Sequence, residues 1–327
     1  MLFILINNKE FFHIKLKLFI RGGNKMLYNI NDLKVGSDQD IILLIKCVEQ
    51  GESQNGAYQR LMARDKQDHE IAIMNFTDIS VKFKEPTVAK LRLSTQEYKG
   101  RVSYQLINYV PVEGAVISDY LPKSKVNQAD SWNYLVNTSK NIRPCLHKLV
   151  GMVLSANSTE FKVKALGPYK AFSRRNGILE ATVKLTKLAD FTSQILGLDR
   201  DLMLAGAMMY YVGYIDCMDD AFNITADDIL IGAGTNAANR IKTQVQKILS
   251  GNDEQLKMSV DMTDVKLLCH MVMSRYKGIQ PATAEAYALR YLDAMVTEVD
   301  SVETALSGYE PGSIITPLYG YGKLLKR

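Results

Sequence analysis

Residues 204–215 read Leu204-Ala205-Gly206-Ala207-Met208-Met209-Tyr210-Tyr211-Val212-Gly213-Tyr214-Ile215. The run is apolar, carries small residues at close-packing spacing and meets a glycine at its end. That is the pattern of a buried helix running into a turn. Three tyrosines, Tyr210, Tyr211 and Tyr214, stand where the helix stops. A buried helix needs neighbours, and the flanking sequence supplies them. Ile178 to Leu196 is amphipathic at helical spacing, Asn236 to Leu249 gives another helix, and Val265 to Tyr276 and Ala282 to Leu306 complete a bundle. The second half of the chain is therefore expected to be all-α, laid out around residues 204–215.

Working back toward the N-terminus, residues 124–157 are polar to amphipathic and helical in pattern. They contain the single tryptophan, Trp132, and a stripe of Leu135, Ile142, Leu146, Leu149, Val150 and Val153 that is expected to pack against the second half. Asp119-Tyr120-Leu121-Pro122 closes a different region. From Asp40 the periodicity is that of short strands. Ile41 to Val48 is β-rich and ends in Gly51-Glu52-Ser53-Gln54-Asn55-Gly56, with its Asn-Gly turn signal. Tyr58 to Ala63 and Glu70 to Phe76 flank the charged turn Arg64-Asp65-Lys66-Gln67-Asp68. Ala89-Lys90-Leu91-Arg92-Leu93-Ser94 alternates strictly, leucine inward and Lys/Arg outward, and Gln96 to Arg101 turns the chain into Val102 to Ile107. Five short strands, interrupted near Asp78 to Pro86, predict an OB-type barrel. The open face of such a barrel stacks bases on aromatic rings and follows phosphates with basic side chains. Tyr58, Arg60, Phe76, Lys99, Arg101 and Tyr104 are the candidates, each alternatively a solvated strand residue and, for Phe76, alternatively core.

Bulk properties constrain the function classes. A chain of 327 residues has room for two cores. Hydrophobic content of 47% and charged content of 23% are those of globular material. The net charge of +5 permits a polyanionic partner without requiring one. Cys47, Cys145, Cys217 and Cys269 are far apart with no CxxC pair, which argues against a zinc site and a disulfide scaffold and fits a reducing cytoplasm. With only four histidines (His13, His69, His147 and His270), a His-rich metal centre is nearly excluded by count. Residues 1–25 are apolar but broken by Lys9, Glu10, Lys15 and Lys17, well short of the ~20 apolar residues of a spanning helix. Arg21-Gly22-Gly23-Asn24-Lys25-Met26 has the form of a translated ribosome-binding site before a start codon, so Met26 is the expected start. A membrane-associating amphipathic leader is the alternative. The organisation read from sequence is residues 1–25, a barrel domain at 26–122, a helical connector at 123–165 and a helical domain at 166–327.

Several phrases together resemble a known family. Glu97-Tyr98-Lys99-Gly100-Arg101 is similar to the barrel turn of bacterial exoribonucleases of the YhaM type, which join an OB fold to an HD domain. Asn176-Gly177-Ile178-Leu179-Glu180-Ala181-Thr182 is similar to that family's Gly-Leu-Leu-Glu-His-Thr, and residues 204–214 to its Leu-Ala-Gly-Ala-Leu-Leu-His-Asp-Ile-Gly-Lys. Leu268-Cys269-His270-Met271-Val272-Met273-Ser274 is similar to its Leu-Leu-His-Met-Ile-Leu-Ser, and Ala288 to Asp293 to the helix ending in its last metal-binding aspartate. The resemblance runs in order over about residues 30–307. It implies an α+β multidomain chain: an N-terminal five-stranded OB-type β barrel followed by an all-α HD-like helical domain. It also implies a homo-oligomer and a single-stranded nucleic acid, DNA or RNA, as partner.

An HD phosphohydrolase holds one or two divalent cations with imidazoles and carboxylates, and the metals activate water and neutralise the phosphate. Carried over position by position, the first histidine is Ala181, the His-Asp pair is Tyr210-Tyr211 and the lysine is Tyr214. Ala233 stands near the place of another histidine, and the later His-His pair is Arg275-Tyr276. Only His270 and Asp293 remain, which the resemblance allows to face each other as a buried hydrogen-bonded pair. Two ligands do not hold a catalytic metal, and a phenol with a pKa near ~10 is a poor ligand at neutral pH. The implied protein has no catalytic residue and no cofactor. The alternatives are a 3′-5′ exonuclease keeping a non-standard Mg or Mn site, with Asp216, Asp219, Asp220, Asp227 and Asp228 as nearby carboxylates, and a nucleotide-binding regulator. Arg174, Arg175 and Arg275 are expected near the rim of a tyrosine-lined pocket, able to bind phosphate or a base unless the rings only fill vacated space.

Overall fold

The computed structural model describes residues 26–53, 56–76, 86–98, 100–122, 124, 126–167, 171–219, 224–275, 278–307, 309–316 and 322–327. Both readings of residues 1–25 lie outside these, as do most of the interruption before Pro86 and the candidates Lys99, Asp220 and Tyr276.

Five strands form a closed barrel: β1 (Ser37–Ser53), β2 (Gly56–Arg64), β3 (Glu70–Asn75), β4 (Thr87–Tyr98) and β5 (Arg101–Pro111), in the order β1-β2-β3-β5-β4. All neighbours are antiparallel except β3 and β5, which run parallel through Ile73 and Tyr104. A five-stranded barrel in which β1 also pairs β4 and β3 meets β5 in parallel is the OB arrangement. Alternation builds it: Ile41, Leu43, Ile45, Leu61, Ile73, Leu91, Leu93 and Leu106 all point inward into one core. The β2–β3 turn is fixed by Asp65, whose buried carboxylate accepts from the backbone N–H groups of Gln67 and His69 and, across the barrel end, of Ile30. β1 carries a bulge between Cys47 and Glu49, which re-aims the side chains beyond it.

The helical part contains, among the described residues, ten helices: α1 (Gln128–Ser139), α2 (Pro144–Ala156), α3 (Ser158–Val163), α4 (Gly177–Leu196), α5 (Arg200–Met209), α6 (Ala226–Leu230), α7 (Ala233–Ser250), α8 (Glu254–Met258), α9 (Met262–Met273) and α10 (Ala284–Ala305). Residues 202–209 of α5 are all buried, and one core runs from Leu135, Leu149 and Phe161 through Leu204 to Val272 and Leu289. The helices before residue 165 thus share the core of those after it. Where the periodicity predicts a helix to Tyr214, α5 ends at Met209 and the chain continues as a 3₁₀ turn, Val212–Ile215. Gly213 explains the tight fit there. A Cβ on it would stand 1.9 Å from the Ala233 carbonyl oxygen at the start of α7, so only glycine lets the turn press against that helix.

Barrel and helices meet through Leu44, Val88, Tyr120, Leu121, Ala165 and Met218. Beyond α10 the chain passes Tyr309 and forms a small hairpin, β6 (Ile314–Ile315) with β7 (Leu324–Leu325). Among the described residues no helix is long and apolar enough to cross a membrane.

Candidate functional site

Two places gather the residues singled out in the sequence. The first is the outer face of β1–β3. Inward residues Gln59, Leu61 and Ala63 are buried, so Tyr58 and Arg60 point outward. Phe76, 39% exposed, follows β3, and its ring centroid lies 6.4 Å from that of Tyr58. Tyr58 lies over Gly51, where an added Cβ would come within 3.0 Å of the ring. Its hydroxyl donates to Glu49 Oε1 at 3.0 Å, and that bond to an anion raises the phenol's pKa. Beyond the bulge, Glu49 stands opposite Arg60 in the ladder. The Arg60 guanidinium lies 3.9 Å above the ring of Tyr309, whose hydroxyl donates to Glu49 Oε2 at 3.3 Å.

Tyr104 and Arg101 do not join this group. Tyr104 packs against the barrel core, and burial raises its pKa. Arg101 is exposed and opens β5. The register Ile73 to Tyr104 puts it level with the Glu70 end of β3, away from Phe76. Lys99 lies outside the described residues. On the same outer side of β1, burial pulls Lys46 down to about 8.

The second place is at the end of α5. Tyr210 and Tyr211 are fully buried, with rings edge to face at 5.3 Å. The Tyr211 hydroxyl donates to Asp293 Oδ1 of α10 at 2.6 Å. Arg275, just past α9, lies over these rings, 4.0 Å from the Tyr210 centroid and 5.1 Å from that of Tyr214. Its Nε–H donates to the Val272 carbonyl at 2.9 Å, while both terminal nitrogens are buried without hydrogen-bond partners among the described residues. The cation is held by ring faces, which attract it electrostatically. Burial, and then the nearby carboxylate, raise the Tyr211 phenol well above its ordinary value, and burial also raises the Asp293 carboxyl.

The remaining expectations resolve differently. His270 does not pair with Asp293. Its Nε2 accepts from the Ala282 N–H at 2.8 Å, because α9 presents the ring to the loop before α10. Ala181 is a buried residue of α4 in the common core. Arg174 does not line a pocket rim; it bridges Glu180 and Asp300, while Arg175 donates to the carbonyls of Ser118 and Asp119. Asp216 is paired with Arg240. Tyr276 lies outside the described residues.

A divalent cation does not fit the cluster at Tyr210. Its phenols are held protonated, its imidazole is turned away to a backbone N–H, and a guanidinium already brings positive charge among the rings. Among the described residues the carboxylate there, Asp293, is committed to Tyr211. Among the described residues no group of three or more His, Cys, Asp or Glu could hold a metal.

No protein-family model matches the chain. Among solved structures it is similar to the second OB-fold domain of replication protein A from Methanococcus maripaludis, solved by solution NMR. The identity is 12%, covering 28% of this chain and 98% of that domain, with a TM-score of 0.23.

Two residues of the outer-face group, Glu49 and Tyr309, were not singled out in the sequence. Glu49 sits after the bulge, and a one-residue bulge inverts the inward-outward reading of a strand. Tyr309 is 260 residues away from Glu49, and no periodicity links them.

Proposed function

We propose that this chain is a non-catalytic single-stranded nucleic-acid-binding protein. The barrel's outer face binds the strand, and the helical part is an HD-like fold, related to that of the YhaM-type exoribonucleases, whose metal site has become packing. The observation that carries the reading is the grouping of Tyr58, Phe76 and Arg60 on one end of the outer face of a closed OB barrel. Two neighbouring rings, 6.4 Å apart and tilted, beside a guanidinium offer faces on which bases stack and a cation that follows phosphates. The loss of catalysis is supported by the donor set at the end of α5, where phenols and a guanidinium replace the imidazoles and carboxylates a phosphohydrolase requires. Self-association through the exposed row Tyr287, Tyr291, Met295 and Val299 of α10 belongs to the same proposal.

Filter binding with short single-stranded DNA and RNA tests it. Phosphate contacts are strongest at low salt, so affinity is expected to fall steeply as salt is added. Absence of binding at low salt to either polymer rejects the reading. Incubation of the strand with Mg or Mn is expected to leave it intact, and shortening from the 3′ end would restore the enzymatic alternative.

A further inference from the structure

The outer-face group is closed by a residue of the chain's own C-terminal segment. The Arg60 guanidinium lies over the Tyr309 ring at 3.9 Å, and the Tyr309 hydroxyl donates to Glu49. Tyr58 occupies the other oxygen of the same carboxylate. We propose that Arg60 and Glu49 form a base-binding subsite, and that Tyr309 occupies it in the free protein, so that tail and nucleic acid compete for it. The proposal rests on the nucleic-acid reading above and names one contact of that face.

The chemistry of the pocket identifies the ligand class. A planar π system under a guanidinium is what Tyr309 supplies, and every nucleobase supplies the same. The group meeting the ring's edge is a carboxylate, which accepts hydrogen bonds and donates none. Tyr309 satisfies one oxygen with its hydroxyl and Tyr58 the other, and each oxygen keeps a second lone pair for a further donor. Guanine presents two adjacent donors, the ring N1–H and the 2-amino group, to the same carboxylate, and uracil presents only a single N–H. The subsite therefore favours guanine. Charge-assisted hydrogen bonds of this kind are the strong ones. Tyr309 joins the site from a segment anchored on both sides, by α10 before it and by the β6–β7 hairpin after it. Its release breaks the ring contact with Arg60 and one 3.3 Å hydrogen bond.

The test is fluorescence anisotropy of the full-length chain with end-labelled oligomers of equal length, one rich in guanine and one of uridine. Tyr309→Ala leaves net charge unchanged, so any gain in affinity is not electrostatic. Removal of a resident competitor raises apparent affinity by the inverse of the open fraction, about tenfold for a site open about a tenth of the time. The expected result is a gain of about tenfold on the guanine-rich oligomer, smaller on uridine, with Tyr309→Phe intermediate because it keeps the ring and loses the hydroxyl. Glu49→Gln is expected to erase the difference between the two oligomers. Binding by Tyr309→Ala that is equal to or weaker than wild type overturns the subsite while leaving the nucleic-acid reading standing. Equal gains on both oligomers overturn the assignment of guanine. Failure of wild type and Tyr309→Ala alike to bind either oligomer removes the reading on which the proposal rests.

Discussion

The molecule contains the same arrangement twice, once at its surface and once in its interior. On the barrel, Arg60 stacks on Tyr309 at 3.9 Å and the phenol donates to Glu49. Among the helices, Arg275 stacks on Tyr210 at 4.0 Å and the neighbouring Tyr211 donates to Asp293. Burial separates them. Tyr210 and Tyr211 are wholly enclosed, their phenol-carboxylate contact is 2.6 Å and their elements belong to the main core. The barrel group is part-exposed, its tail contact is 3.3 Å, and one member arrives from the end of the chain. Arginine, tyrosine and carboxylate together thus specify neither a site nor a scaffold. Enclosed, the group is part of the core; at the surface, on the proposed reading, it exchanges partners.

Four measurements press on that contrast. The largest effect is expected from Gly213→Ala, which forces a methyl within 1.9 Å of a backbone carbonyl beside the interior cluster. A loss of more than ~3 kcal/mol in denaturant unfolding is expected, and a small loss would show that the interior group is as yielding as the surface one.

Acid comes next. Burial alone would raise the Glu180 carboxyl, but hydrogen bonds from Arg174, Ser124 and Lys184 outweigh it and hold it at about 2 against an ordinary 4.5. The unfolded chain takes up the proton first, so this stability is complete above 4.5 and is lost as pH falls toward 2. The loss is roughly 3 kcal/mol, and Glu180→Gln is expected to flatten that part of the stability-pH curve.

Third, removing one hydroxyl from each cluster compares them directly. Tyr211→Phe takes a 2.6 Å hydrogen bond from the Asp293 carboxylate and costs about 2 kcal/mol. Tyr309→Phe changes stability by less than about 0.5 kcal/mol. Equal costs in unfolding titrations would erase the contrast. Last is Arg275→Met, which removes one hydrogen bond, Nε–H to the Val272 carbonyl, and the ring-face contacts. A loss of about 1 kcal/mol is expected; a much larger loss would show that the guanidinium, not the packing, holds the rings.

Much of this was legible in the sequence. All five strands and the main helices follow from alternation and 3.6-residue periodicity, because each buries one face. Tyr58, Arg60 and Phe76 emerge together on the barrel because β2 and β3 are regular and their parity is readable. Tyr104 has the composition of a stacking residue, but its parity matches Leu106 and turns it to the core. The tyrosines at the end of α5 are read directly from the sequence, whereas the position of Arg275 over the rings depends on how α9 ends. His270 is decided by a backbone N–H twelve residues on, which no side-chain pattern encodes. Glu49 and Tyr309 escaped for the reasons of bulge and chain separation given above.

The central claim is that the barrel's outer face, and not the helical cluster, carries the function. Binding of a labelled single-stranded oligonucleotide at low salt by wild type, by Tyr58→Ala with Phe76→Ala, and by Tyr211→Phe tests it most directly. Stacking on an aromatic ring contributes ~1–3 kcal/mol per base, so the barrel double variant is expected to lose at least about tenfold in affinity while Tyr211→Phe binds as wild type. Undiminished binding by the barrel variant, or loss of binding in a folded Tyr211→Phe, would contradict it.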